Sequence, residues 1–238
     1  MPKRGKRYSE AASKVDTTQQ YKPETALTLV REAATAKFDE TVEIHLSTGL
    51  DGRHAEQQIR GSVTLPHGLG KEQRVVVFAE GEAAMLATEA GADEVGADDL
   101  IARVQDGFTD FDVALAQREM MGKVGRLGRV LGPRGLMPNP RSNTVLEVGD
   151  IARAVQEAKS GRVEFRLDRS NLVHASIGKV SFSETQLMEN LSTLVGEIVK
   201  ARPNALKGQY IRGATLTSTM GPGVQLDVLP LLELGAQS

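Results

Sequence analysis

The spacing of apolar residues changes twice along the chain, and this change constrains the fold more than any other sequence feature. Thr41–Leu46 and, much later, Val163–Leu167 alternate apolar with other residues. Such alternation is typical of a half-buried strand with one exposed face. Between them, Arg74–Phe78 is a short β-branched run, and the alanine-rich segment Glu82–Ala90 follows it. This second pattern is typical of a buried parallel strand and its crossover helix.

Further segments extend both patterns. The middle adds a helix over Asp98–Gln105, a strand over Phe111–Ala116 and a helix that Asp150 caps. The ends add strands over Val173–Ile177 and Gln209–Thr219, a helix from Pro23 to about Ala36, and a helix that starts at the capping box Ser183–Gln186 and stops at Pro203.

Because both ends share one pattern and the middle has another, the fold class predicted is α/β and α+β. An outer split α+β domain is built from both termini, and an α/β domain with a small parallel sheet is inserted into it. The predicted boundaries are 1–67 and 161–238 for the outer domain and 68–160 for the inserted one, with Gly and Pro residues at both crossings.

Composition excludes several protein classes. The 238 residues are 40% apolar and 25% charged, as in an average globular protein, and no apolar run approaches the ~20 residues of a membrane span. The basic start, with Lys3, Arg4, Lys6 and Arg7, lacks the apolar stretch of a secretory signal. Without cysteine there is no disulfide, thiol nucleophile or thiolate metal site, which fits a cytoplasmic protein.

The net charge of −2 conceals an uneven distribution. Gly68–Gln117 has three basic and eleven acidic residues, net −8, whereas Arg118–Gly161 has eight basic and four acidic residues, net +4. Within the latter, one stretch carries five cations and no acid, at Lys123, Arg126, Arg129, Arg134 and Arg141. Because glycines and prolines interrupt it, Met120–Arg141 is predicted to be an irregular, solvated loop that meets a polyanion partner. A charged loop without a partner is the alternative.

Motifs for enzyme chemistry are missing. The chain has no G-x-G-x-x-G, no phosphate-binding G-x-x-x-x-G-K-[ST], no H-E-x-x-H and no G-x-S-x-G. Its histidines, His45, His54, His67 and His174, are scattered through the outer domain, so no metal or other cofactor is expected. Two alternatives stay open: an enzyme that holds a nucleotide in the inserted domain, and a protein-only adaptor that uses the acidic segment Gly68–Gln117.

Several segments resemble one family. Met121–Pro140, which contains GPRGLMPNP, resembles the signature of the universal large-subunit ribosomal protein L-one family, whose members form the mobile stalk beside the tRNA exit site. Other segments are similar to that family in the same order, namely Gly61–Gly68, Gly91–Asp93, Gly161–Arg166 and Thr219–Pro222. The resemblance covers nearly the whole chain.

The resemblance implies a two-domain, non-enzymatic RNA-binding protein whose inserted domain is Rossmann-like and holds no nucleotide. It implies that the outer domain binds large-subunit ribosomal RNA, that the stalk assists release of deacylated tRNA from the exit site, and that the protein represses translation by binding its own operon mRNA. It further implies a monomer within the ribosome, located in the cytoplasmic large subunit, with neither a small-molecule substrate nor a membrane partner.

The family's RNA site also carries over to this chain. The resemblance places it at Lys37, Phe38, Thr41, Glu43, Asp168, Arg169, Thr217, Thr219, Met220 and Gly221. Phe38 and Met220 would contact sugars or bases, and the threonines and Glu43 would bond 2′-hydroxyls and base edges. Arg53 and Arg60 would join Lys37 and Arg169 in neutralising phosphates. Gly221 would let the RNA approach the backbone closely.

Overall fold

The computed structural model of the chain describes residues 5–236, apart from the side chain of Arg141. Lys3 and Arg4 of the basic start lie outside the described residues. The chain divides into two compact units, one comprising residues 1–70 and 163–238 and the other residues 71–162. Mixed α+β structure in the first unit and a parallel sheet in the second confirm the predicted fold class. No helix within residues 5–236 is long and apolar enough to cross a membrane.

The described residues form nine α-helices and ten strands. Those before the second unit are α1 (Lys6–Ala12), α2 (Pro23–Ala33), β1 (Thr41–Thr48) and β2 (Arg60–Thr64). Those of the second unit are β3 (Val75–Phe78), α3 (Glu82–Glu89), β4 (Glu94–Gly96), α4 (Asp98–Gln105), β5 (Val113–Gln117), α5 (Met121–Val124), α6 (Gly128–Leu131), β6 (Val145–Leu146) and α7 (Ile151–Lys159). The rest are β7 (Arg162–Arg166), β8 (Leu172–Lys179), α8 (Glu184–Lys200), β9 (Ile211–Ser218), β10 (Val224–Leu226) and α9 (Val228–Ala236).

The first unit is built on an antiparallel sheet of four strands in the order β10-β9-β1-β8, beside a two-stranded sheet of β2 and β7. Along β1, Val42, Ile44 and Leu46 are buried with Leu187, Leu191 and the other apolar residues of the core. Helices α2, α8 and α9 contact the strands or each other on this side. The residues that alternate with the core residues therefore form the uncovered face of the sheet.

The second unit is a parallel sheet in the order β4-β3-β5-β6 with helices on both faces. Val76 and Phe78 pack with the apolar residues of α4, and Val75 and Val77 pack with those of α3 and α7. Strands buried on both faces are expected to be apolar at every position, and β3 is.

The prediction of an irregular loop over Met120–Arg141 is wrong for its first half. Residues 118–131 follow a nearly unbroken helical path through α5, α6 and two 3₁₀ turns. Met120, Val124, Leu127 and Leu131 recur at intervals of four, three and four, so they form one buried stripe. This apolar period outweighs the weak helix propensity of the intervening glycines.

Of the other predictions about local structure, some are confirmed and others are not. The capping box is confirmed: Ser183 Oγ accepts from the N–H of Gln186, whose side chain accepts from the N–H of Ser183. Asp150 occupies the predicted N-cap position of α7, but its side chain makes no capping hydrogen bond: a 3₁₀ turn precedes this helix, and the Asp150 carboxylate pairs with Arg153. Helix α2 ends three residues before the predicted Ala36, and α9 was not predicted.

Candidate nucleic-acid interface

Two large apolar side chains are exposed at the end of the open sheet face where β1 begins and β9 ends. Phe38 is 56% exposed and Met220 is 61% exposed, and Lys37 is exposed beside Phe38. Two exposed apolar side chains in neighbouring segments can together form contacts with a partner. We refer to this end, formed by residues 37–43 and 217–221, as the Met220 end.

Glu40 organises the Met220 end, and sequence reasoning missed it. Its buried carboxylate accepts from the backbone N–H of Ala36 at 2.8 Å and of Met220 at 2.9 Å. Burial raises the pKa of Glu40, but these hydrogen bonds outweigh that effect and hold the pKa below its ordinary value. The sequence contains no signal for this role, since Glu40 follows Asp39 as one of two acids before a strand and its partner is 180 residues away.

The threonines of the Met220 end join its two chain segments. The Thr41 N–H donates to Thr219 Oγ1 at 3.0 Å, and Lys179 Nζ donates to Thr41 Oγ1 at 2.8 Å. Thr217 Oγ1 donates to the Ser218 carbonyl at 2.9 Å. A side chain on Gly221 would displace the Ser218 hydroxyl, which is buried beneath the turn. These hydroxyls stabilise the local structure as well as facing the open side.

Other predicted site residues lie at the opposite end of the sheet. Asp168 and Arg169 belong to the turn before β8, and the Gly52 N–H, next to Arg53, donates to Asn171 Oδ1 of the same turn at 2.8 Å. Arg53 and Arg169 are exposed. We refer to this end, formed by residues 51–53 and 168–171, as the Asp168 end.

The carboxylate of Asp168 is engaged within its turn. One oxygen accepts from the backbone N–H groups of Ser170 and Leu172, at 2.8 and 2.7 Å. The hydrogen bond from Leu172 is the largest of the effects that lower the pKa of Asp168. The other oxygen lies 3.5 Å from His174 Nε2. Asp168 is therefore an anion at neutral pH that shapes the turn presenting Arg169.

Within the described residues, Arg60 differs from Lys37, Arg53 and Arg169 because its guanidinium already has a partner. It forms an ion pair with Glu164 across β2 and β7 at 3.1 Å, and the side chain is 29% exposed. A phosphate would have to compete with this carboxylate, so Arg60 is less available than Arg53.

The structure does not bring the predicted site residues to one point. β1 and β8 are antiparallel, with Thr41 opposite Lys179 and Ser47 opposite Leu172. The Met220 end and the Asp168 end are therefore about six residue steps, or ~20 Å, apart along the sheet. Glu43, the last β1 residue of the Met220 end, lies opposite Thr217 and Ser176.

A histidine pair occupies the middle of the open face. His45 of β1 lies opposite His174 of β8, with their Nδ1 atoms 2.7 Å apart. Burial, and secondly the neighbouring His174, lower the pKa of His45. Period-two alternation could have placed both histidines on the outer face, but only strand register brings them together.

In the basic stretch of the second unit, some of the described cations already have ion-pair or hydrogen-bond partners and others do not. Lys123 pairs with Glu80 at 3.0 Å and with Asp98 at 2.9 Å, and Arg134 donates to Thr109. Arg126 and Arg129 are exposed, and neither side chain has a polar partner within the described part of the chain. The side chain of Arg141 lies outside the described residues.

The carboxyl ends of β3 and β5 form the place where parallel sheets of this type hold nucleotides. Here Gln117 is buried, accepts from the Glu80 N–H at 3.2 Å and donates to Glu119 at 3.0 Å. Carboxylates at this position, such as that of Glu119, repel the phosphates of a nucleotide. Within the described residues, no group of three or more His, Cys, Asp or Glu side chains could hold a metal ion.

Comparisons with known proteins agree with the sequence motifs. The model of the Ribosomal protein L1p/L10e family matches residues 30–222. "Large ribosomal subunit protein uL1" of Chloroflexus aggregans is 56% identical over 235 residues, which cover 98% of this chain and 99% of the relative. The protein of the same name from Chloroflexus aurantiacus is 56% identical over 99% of this chain and 100% of its own length. That from Thermomicrobium roseum is 52% identical over 100% and 99% of the two chains. With such coverage, this chain belongs to the Ribosomal protein L1p/L10e family.

Proposed function

We propose that the chain is a structural, non-enzymatic protein of the cytoplasmic large ribosomal subunit that binds large-subunit ribosomal RNA directly. The names of its relatives support the location. The observation that carries the RNA-binding proposal is the exposure of Phe38, Lys37 and Met220 in the segments that lead into β1 and out of β9. Unpaired bases stack on exposed aromatic side chains, while cations neutralise the backbone.

The proposed RNA site comprises the Met220 end, which includes Glu43, and the Asp168 end, with Arg60 at its edge. Phe38 and Met220 supply the apolar contacts, and Lys37, Arg53 and Arg169 supply charge. Asp168 and Glu43 accept hydrogen bonds from 2′-hydroxyls or base amino groups. Two separated clusters suit a folded RNA better than a short single strand, because one rigid surface then contacts two places of the RNA.

A second contact with RNA is proposed in the inserted unit. The helical path over residues 118–131 buries its apolar stripe and exposes Arg126 and Arg129. Gly122, Gly125 and Gly128 have open space where a side chain would lie, so a phosphate backbone can approach this helical surface closely. Arg134 and Arg141 extend the same acid-free stretch in the sequence.

Two further roles rest on the family resemblance: assistance to release of deacylated tRNA from the exit site by the mobile stalk, and translational repression through the protein's own operon mRNA. The protein acts as a monomer within the ribosome and needs neither a cofactor nor a small-molecule substrate. Repression requires the mRNA to use the same site as ribosomal RNA, so the two RNAs compete.

Filter binding at moderate salt tests the proposal. The purified chain should bind protein-free bacterial large-subunit ribosomal RNA more tightly than an unrelated RNA duplex of equal length. Its own operon leader should displace the ribosomal RNA. Equal affinity for ribosomal RNA and unrelated duplex would overturn the proposal. Sucrose-gradient fractionation of a lysate should place the chain in the large-subunit peak.

A further inference from the structure

The open face of the first unit contains a shallow recess of about 360 Å³. It lies where β1, β9 and β10 run side by side, with His45 opposite Thr215, and Thr215 opposite Gln225. The side chains or backbone of Gln20, His45, Ser47, Gly213, Thr215 and Gln225 line it. None of these residues belongs to the predicted RNA site.

Four polar side chains in the recess are left without partners. Within the described chain, the side chains of Gln20, Ser47, Thr215 and Gln225 make no hydrogen bonds. Two amides and two hydroxyls together offer donors and acceptors but no charge. Such a set suits a neutral, flat group with several polar atoms on its edge, and it is poorly suited to a phosphate.

His45 provides a fixed aromatic wall. Its ring is held against His174 with the ring centroids 4.9 Å apart and an interplanar angle of 64°. Burial lowers the pKa of His45, so the ring is neutral near neutral pH. Gly213 has no side chain, and a Cβ there would still be 4.0 Å from the nearest atom, so the floor of the recess is open.

The position of the recess is the second argument. It lies between the Met220 end and the Asp168 end, which are ~20 Å apart on the same face. An RNA that contacts both ends has to cross the middle of the sheet. An unpaired nucleotide in that crossing segment can reach the recess.

We propose that this recess binds the base of one unpaired nucleotide of the RNA, which stacks on His45 and is read by Gln225 and Thr215. A glutamine amide can bond a base edge through two atoms, and histidine is among the side chains on which RNA bases stack. The inference rests on the proposed RNA-binding function and adds a specificity site to it.

The test compares the full chain with the double variant Thr215→Val and Gln225→Leu. Both changes keep side-chain size and remove the unpartnered polar atoms, so the urea midpoint should not change. The probes are protein-free bacterial large-subunit ribosomal RNA and an unrelated RNA duplex. The matched control is Gln105→Leu, which alters an exposed glutamine of α4 in the other unit.

The double variant should bind the ribosomal RNA at least tenfold more weakly, whereas its affinity for the duplex and both affinities of the control variant stay unchanged. Unaltered ribosomal RNA binding by the double variant would overturn the recess proposal alone. An equal loss on the duplex would also overturn it, because the recess would then contact helical backbone. If the unmodified chain itself shows no preference for ribosomal RNA, the proposed function fails, and the recess proposal fails with it.

Discussion

Glu40 and Met220 are joined by a hydrogen bond from the Met220 backbone N–H to the buried Glu40 carboxylate, at 2.9 Å. The same carboxylate accepts from Ala36. One buried anion thereby fixes both segments that present exposed apolar side chains, the one before β1 with Phe38 and the turn after β9 with Met220. These hydrogen bonds preorganise the Met220 end, which lowers the entropic cost of RNA binding.

Glu40→Gln should destabilise the protein by about 2 kcal/mol at neutral pH, because hydrogen bonds to a buried charged group are lost or weakened. The pKa of Glu40 is lower in the folded protein than its ordinary value of 4.5. Its stabilising contribution is therefore present above that value and is lost as the pH falls through the folded pKa. Urea unfolding of both proteins at neutral pH and near pH 3.5 should show a smaller acid destabilisation in the variant. An equal acid destabilisation in both proteins would contradict this role.

Phe38→Ala and Met220→Ala should each weaken binding to ribosomal RNA while changing stability by no more than about 0.5 kcal/mol. The loss for Phe38→Ala should reach about tenfold, since stacking of a base on an aromatic ring contributes ~1–3 kcal/mol. Leu229→Ala is the matched control, because Leu229 is 72% exposed on α9 but lies outside the proposed site. Filter binding and thermal unfolding provide the two measurements. A comparable loss in the Leu229 variant would show that the effect is not local.

Removal of residues 71–162, with a short Gly/Ser linker in their place, should leave most of the specific RNA affinity. The first unit has its own apolar core and contains the whole proposed primary site. Circular dichroism establishes whether the shortened chain folds, and filter binding against ribosomal RNA and unrelated duplex gives its specificity. A folded variant that no longer discriminates would assign the specificity to the second unit.

Arg126→Ala combined with Arg129→Ala should reduce the salt dependence of RNA binding. Each phosphate contact contributes roughly 0.7–0.9 to the slope of log affinity against log salt, so the slope should flatten by about 1.5. Lys123→Ala serves for comparison because Lys123 already pairs with Glu80 and Asp98. Its removal should change the slope less. Equal slopes for the unmodified chain and the double variant would mean that this helical surface does not contact RNA.

His45→Gln should remove a pH-dependent part of the stability. The pKa of His45 in the folded protein is below its ordinary value of 6.5. The unfolded chain therefore binds the proton more readily, and stability falls as the pH decreases from 6.5 towards the folded pKa. The unmodified chain should lose stability as the pH falls below about 6.5, and the variant should lose less. His54→Gln, which alters an exposed histidine of the β1–β2 connection, should behave like the unmodified chain.

Local pattern was sufficient for much of the architecture. The alternation in Thr41–Leu46, the apolar run at Val75–Phe78 and the capping box at Ser183 each predict their element, because they reflect contacts within one strand or helix. Local pattern misled where two local signals conflict. In residues 118–131 the glycines favour a loop, but the apolar stripe favours a helix, and burial of that stripe outweighs propensity.

Period, composition and motif in the sequence were thus enough to establish the fold class and the family, since these features depend on neighbouring residues and are repeated many times. Strand register and long-range packing decided the arrangement of the surface. They separated the predicted RNA contacts into two ends, paired His45 with His174 and buried Glu40 under Met220. Such relationships join residues more than a hundred positions apart, and a shift of register by one residue would move each side chain to the other face of the sheet.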